Sequence, residues 1–139
     1  MNSILLPAVS LVAWTLLMQI WMMAVRLPII LKSRMNLDPH APRGAQMSTL
    51  PSKVRWKADN YNNLMEQPTL FYAISLVIAV SGGHSEMSLW LAWAYVGMRV
   101  AHSLVQALIN NVRVRFAFFM LASVALMLLT ISTLRSLLA

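Results

Sequence analysis

At 139 residues the chain is long enough for one domain, and with 59% hydrophobic and 11% charged residues it is too apolar for an ordinary soluble fold. The lack of cysteine excludes disulfides and thiolate chemistry by the protein itself, so any reacting thiol must belong to a ligand. A net charge of +7 could suit nucleic acid, but the placement of the charges, traced below, argues for topology and anionic headgroups instead.

The first helix is expected over about residues 3–31. Met1 to Val25 carries no side-chain charge, and a membrane crossing needs roughly 20 mostly apolar residues. A cleavable signal peptide is the alternative. The charge-free start, without a basic n-region, and the length of the run argue against it. Pro28 falls inside this helix, where a proline kinks rather than breaks a membrane span.

Residues 32–52 follow as a loop without regular structure, marked by Pro39, Pro42, Gly44 and Pro51. Lys32, Arg34, Arg43, Lys53, Arg55 and Lys57 cluster in and beside it. Arg113 and Arg115 follow a later turn, and the opposite side shows only His84, Glu86 and Arg135. The positive-inside rule then places the loop and the later turn in the cytoplasm and both termini on the non-cytoplasmic side.

The second helix is expected over 55–81. Its apolar part, Gln67 to Ser81, is too short to cross alone, so the helix must begin earlier and carry Asp59 and Glu66 with it. Trp56, Asp59, Asn63 and Glu66 share one face by helical spacing, with Asn62 beside them. Gly82 and Gly83 stop this helix, and Ser85 is the N-cap expected for a third helix over 86–109. There Arg99, His102, Gln106 and Asn110 recur at i, i+3, i+7 and i+11, one polar stripe on an apolar helix. Asn110 and Asn111 make the next turn, since asparagine tolerates left-handed and Asx geometry. A fourth helix over 113–137 closes an all-α, four-helix membrane bundle.

An arginine deep in a bilayer costs at least about 2.5–3.5 kcal/mol on insertion scales, so Arg99 should face inward and find an anion. Glu66 is the acidic residue at comparable depth, which makes Arg99–Glu66 the expected structural ion pair, within a chain or across a subunit boundary. Asn63, His102 and Arg115 extend the stripe into a polar pocket at the cytoplasmic side, suited to a small zwitterion with several carboxylates. Arg115 sits in the first turn of the fourth helix, where the helix dipole favours anions. No nucleophile stands out, because Ser103 points away from His102. His40, His84 and His102 lie at different depths, which argues against a metal site.

The motifs "RVAHS" at 99–103, "NLMEQP" at 63–68 and "VRL" at 25–27, with Arg115, resemble the MAPEG family, the membrane-associated proteins of eicosanoid and glutathione metabolism. The resemblance spans nearly the whole chain. It implies a homotrimer that binds glutathione between helices of adjacent subunits, with a lipophilic electrophile or lipid hydroperoxide reaching the thiol from the membrane lipid. It further implies that Arg26, Asn63, Glu66, His102 and Arg115 contact glutathione, and that Arg115 is the catalytic residue stabilising the thiolate. The sequence departs from the family pattern at several carboxylate ligands. Asp59 replaces an arginine, Trp56 and Asn62 stand where others carry arginine, Gln106 replaces a tyrosine, and Phe116 and Phe119 replace a serine and a tyrosine. Arg55 and Lys57 lie nearby in sequence but on other helical faces. The function expected is therefore a glutathione-dependent transferase or peroxidase. The alternative is a protein of this fold that binds a different thiol or an anionic lipid, and a transporter or proton relay through Arg99, Glu66 and His102 is a third reading.

Overall fold

A computed structural model describes residues 3–83 and 85–139. Five helices follow one another: α1 Leu5–Lys32, α2 Ser52–Leu64, α3 Pro68–Ser81, α4 Glu86–Leu108 and α5 Val112–Leu138. His84, and Met1 at the head of the charge-free run, lie outside the described residues. Among the described residues, three stretches are long and apolar enough to cross a membrane: Leu5–Lys32, Ser52–Ser81 (α2 and α3 together) and Val112–Leu138. The chain is an all-helical integral membrane protein.

The expected helix over 55–81 begins earlier, at Ser52, and is interrupted at residues 65–67. Pro68 is the physical reason. It has no N–H to donate to the carbonyl four residues back, so the ladder lapses there and restarts with proline at the first helical position. Glu66 sits in the interruption. The loop also differs from expectation by containing a 3-10 turn, Met47–Thr49. It is ordered by Gln46, whose Nε2 donates to the Asn36 carbonyl at 2.6 Å while its Oε1 accepts from the Asp38 amide at 3.1 Å.

The helix ends follow their local chemistry. Gly82 terminates α3 in a left-handed conformation, φ 69°. Ser85 Oγ accepts from the Ser88 amide at 3.1 Å and caps α4. Asn110 adopts positive φ, 53°, and Asn111 Oδ1 accepts from the amides of Arg113 and Val114 at 3.1 and 3.3 Å to cap α5. Gly82, Ser85, Asn110 and Asn111 thus act as the sequence suggests.

The core is the seam where α1, α3, α4 and α5 meet: Leu11, Phe71, Tyr95 and Leu129 are fully buried there, with Ala92 and Ala122 between them. Small residues let helices approach closely where lipid offers no hydrophobic drive between them. Phe71 stacks on Tyr95 with ring centroids 4.5 Å apart and planes at 25°. Hydroxyls in the spans bond back along their own helices, Thr15 to Leu11, Ser75 to Phe71 and Thr133 to Leu129, so no hydroxyl donor of these three is stranded in an apolar medium. Trp90 and Trp93 face outward, where an amphipathic indole suits the lipid interface.

Candidate functional site

The polar stripe on α4 is buried. Arg99 is fully enclosed, and His102 and Gln106 are 4% and 5% exposed. The cost of a cation at this depth is met first by α2: Arg99 Nη2 donates to the Asn63 carbonyl at 2.9 Å and to Asn63 Oδ1 at 2.6 Å. The guanidinium carbon also lies 6.0 Å from the centre of the Phe119 ring, within cation–π range. Nε and Nη1 remain buried without a hydrogen-bond partner. The expected Arg99–Glu66 pair is not formed within the chain. Glu66 lies in the helix interruption, off the register of Trp56, Asp59 and Asn63, and is exposed. Proline chemistry at position 68 thus moved the carboxylate away and left Asn63 as the partner.

His102 joins α4 to the start of α5. Nδ1 lies 2.7 Å from the Arg115 carbonyl and Nε2 lies 3.0 Å from the Gln106 side-chain amide. Both contacted atoms are oxygens, the Arg115 carbonyl and Gln106 Oε1, and an oxygen of this kind only accepts, so whichever ring nitrogen carries hydrogen is the donor in its contact. Both ring nitrogens are engaged inside the chain, and the Nδ1 contact clamps α4 to the Arg115 backbone. Gln106, which stands where the family pattern has a tyrosine, is part of that clamp.

Arg115 itself is half-buried in the first turn of α5. Nη1 donates to Asn110 Oδ1 at 2.6 Å, which anchors one edge of the guanidinium and leaves the other donors for a ligand. The positive end of the α5 dipole adds to its pull on an anion. Ser103, adjacent to His102, is occupied elsewhere: its Oγ accepts from Trp14 Nε1 at 3.0 Å and ties α1 to α4.

Arg26 is not beside these groups. It lines a cavity of about 390 Å³ formed by the end of α1, the loop and α2, together with Arg43, Arg55, Asp59 and Asn62. Glu66, His102 and Arg115 are not on its wall. The residues expected to hold one ligand therefore fall, in a single chain, into two groups: Arg26 at the α1–α2 corner, and Asn63, Arg99, His102 and Arg115 along α2, α4 and α5. Arg55, whose sequence position suggested another face, shares the wall with Arg26. Lys57 does face away, donating to the Ala107 carbonyl at 3.1 Å in the last turn of α4 and lying over the Trp21 ring at 5.0 Å.

Three polar residues were given no structural role by the sequence. Arg43 was legible only as part of the basic cluster, because a loop residue has no helical register from which to place it. Gln67 bridges three helices, donating to Ser123 Oγ at 2.8 Å and accepting from the Tyr95 hydroxyl at 3.4 Å; its place directly before Pro68 in an apolar run was an available clue. Asn60 is 1% exposed with its Oδ1 unpartnered.

The buried, unpartnered donors among the described residues are thus the Nε and Nη1 N–H groups of the enclosed Arg99, while the α1–α2 corner gathers arginines with one aspartate. Among known proteins, the model of the MAPEG family matches residues 4–135. No curated protein and no solved structure matches the chain.

Proposed function

The chain belongs to the MAPEG family, and on that premise we propose that it is an integral membrane, glutathione-dependent transferase or peroxidase acting on lipophilic electrophiles or lipid hydroperoxides. The observation that carries this reading is Arg115: a half-buried guanidinium at a helix N-terminus, held from behind by Asn110 and through its carbonyl by His102. A cation so placed lowers the pKa of a bound thiol and raises the fraction of reactive thiolate. Asn63, Glu66 and Arg26 supply further ligand contacts in this reading, while His102 positions Arg115.

The separation of Arg26 from Arg115 in one chain supports a homotrimer in which adjacent subunits complete each site. Glu66, exposed on one chain, then becomes available to a ligand or to a neighbouring subunit. No more than 28% of the apolar window of any of the three spans is buried within the chain, which leaves apolar surface for lipid, for a lipophilic substrate and for neighbouring copies. In this reading the loop end is cytoplasmic and both termini lie on the other side.

The test is spectroscopic. Saturating glutathione added to the detergent-purified protein should raise a thiolate absorbance and stabilise it thermally, by about 2.7 kcal/mol at a hundred times Kd, and Arg115→Ala should abolish the absorbance. Neither effect in the wild type would refute the reading. The second reading, a different thiol or an anionic lipid without glutathione transfer, is favoured by Asp59, which puts a carboxylate on the wall that Arg26 lines. Native mass spectrometry of the purified protein distinguishes it by the mass of any retained small molecule.

A further inference from the structure

The end of α4 is fastened by a residue to which the ligand site assigns no part. Ile109 and Asn110 both donate to the Val105 carbonyl, at 3.0 and 2.6 Å, so the last turn closes on one acceptor and the carbonyls after it need donors from elsewhere. Ala107 has no exposed surface, and a backbone acceptor enclosed in this way must find a partner. Lys57 Nζ supplies it from α2, donating to the Ala107 carbonyl at 3.1 Å. The ammonium also meets the negative end of the α4 dipole, donates to the Lys53 carbonyl at 2.9 Å, and lies 5.0 Å from the centre of the Trp21 ring on α1. One side chain thus joins α1, α2 and α4 three residues before Asn110.

We propose that Lys57 is a positioning residue for Arg115: by pinning the last turn of α4 it fixes Asn110, and through Asn110 the direction of the Arg115 guanidinium. Asn110 Oδ1 accepts from Arg115 Nη1 at 2.6 Å. Its backbone is held at φ 53°, a left-handed conformation that persists in a residue other than glycine where the surrounding structure over-determines it. Asn111 caps α5 on one side of it, and the Lys57 contact fixes α4 on the other. Two supports then act on Arg115. His102 holds its carbonyl at 2.7 Å, and the route from Lys57 through Asn110 aims its side chain. A lysine suits this task because a long apolar stem carries the ammonium across to a neighbouring helix. What this does to a bound thiol rests on the glutathione reading; where Arg115 is held does not.

Position and chemistry are measured separately. In the detergent-purified full chain, phenylglyoxal modification mapped by mass spectrometry reads how firmly each guanidinium is held, with the exposed Arg113 as internal reference. Lys57→Met keeps an apolar stem and removes the ammonium; modification of Arg115 relative to Arg113 should then quicken by about three- to tenfold, the scale set by one hydrogen bond. Lys57→Arg, which can still donate to the Ala107 carbonyl, should behave like the wild type. If Lys57→Met does not fold, Lys57→Gln carries the same expectation. Asn110→Ala should quicken the modification equally, and the double variant should exceed neither single one, because both act on one contact. With glutathione bound, Lys57→Met should raise the pH at which the thiolate absorbance appears by about one unit, and Lys57→Arg should restore it. The inference is overturned if Arg115 reacts at the wild-type rate in Lys57→Met, or if Lys57→Arg fails to restore that rate. It is also overturned if the double variant shows the product of the two single effects, which is the result for a cation acting through its field alone. A wild type without any thiolate signal would refute the glutathione reading and leave the modification rates to decide what holds Arg115.

Discussion

The Arg99–Asn63 contact makes a sharp energetic test, because its two partners should not be equally costly to remove. Arg99 is fully buried and donates twice to Asn63, once to the carbonyl and once to Oδ1. Asn63→Ala deletes the shorter bond and leaves the backbone acceptor. A hydrogen bond to a charged group contributes about 1.5–3 kcal/mol, and the stranded donor joins Nε and Nη1, which already have no partner. We expect a loss of about 2–3 kcal/mol. Arg99→Met removes both bonds, but it also removes the cation and its unpartnered donors and fills the space with a flexible apolar chain. Replacing a buried ion by a well-packed apolar residue is often close to neutral, whereas removing only its partner is not. The single chain therefore predicts that Arg99→Met costs less than Asn63→Ala, and that adding Asn63→Ala to Arg99→Met costs no more than about 0.5 kcal/mol further. Reversible unfolding in mixed micelles, over the three variants and the wild type, measures the cycle. If Arg99→Met proved the more destabilising of the two by more than about 2 kcal/mol, the unpartnered donors would have an anionic partner that the isolated chain lacks, Glu66 of a neighbouring subunit foremost, and the reasoning would fail.

Other perturbations isolate single physical terms. Asn111→Ala removes the side-chain cap of two α5 amides and should cost about 1 kcal/mol in thermal or denaturant unfolding; no change would mean the turn is held by other contacts. Gly82→Ala should cost about 1 kcal/mol although nothing crowds the added methyl, because φ is 69° and only the backbone conformation resists. Gly97→Ala, equally uncrowded but inside α4, should be neutral or stabilising by up to about 1 kcal/mol, so equal effects at the two glycines would contradict the argument. Phe71→Ala empties the centre of the seam where Phe71 stacks on Tyr95 and should cost about 3–5 kcal/mol; a cost under about 1 kcal/mol would place the core elsewhere.

The local signals transferred from sequence to structure with little change. Gly82, Ser85, Asn110 and Asn111 act at the turns as their side-chain chemistry suggests, since a cap or a left-handed residue involves only its neighbours in the chain. The 3.6-residue period likewise put Arg99, His102 and Gln106 on one face of α4, and that face is buried. The partners of those residues were harder to read. Glu66 looked suitable for Arg99 by depth and spacing, but that inference required an unbroken helix through Pro68. Three residues of non-helical chain were enough to turn the carboxylate outward and hand the arginine to Asn63. Arg43 and Arg55 were legible only as positive charge near a loop. Their convergence with Arg26 depends on how the loop folds back, which no periodicity encodes.

By itself, then, the amino-acid sequence determined that this is a helical membrane protein, where its turns lie, which face of α4 is polar, and the family to which it belongs, because hydropathy, period and capping are properties of short stretches. The tertiary structure alone decided that Asn63 rather than Glu66 holds Arg99, that His102 is spent on the Arg115 backbone, and that three arginines share a cavity with Asp59. Those are distances between segments far apart in the chain, set by a proline interruption, a folded loop and the packing of whole helices.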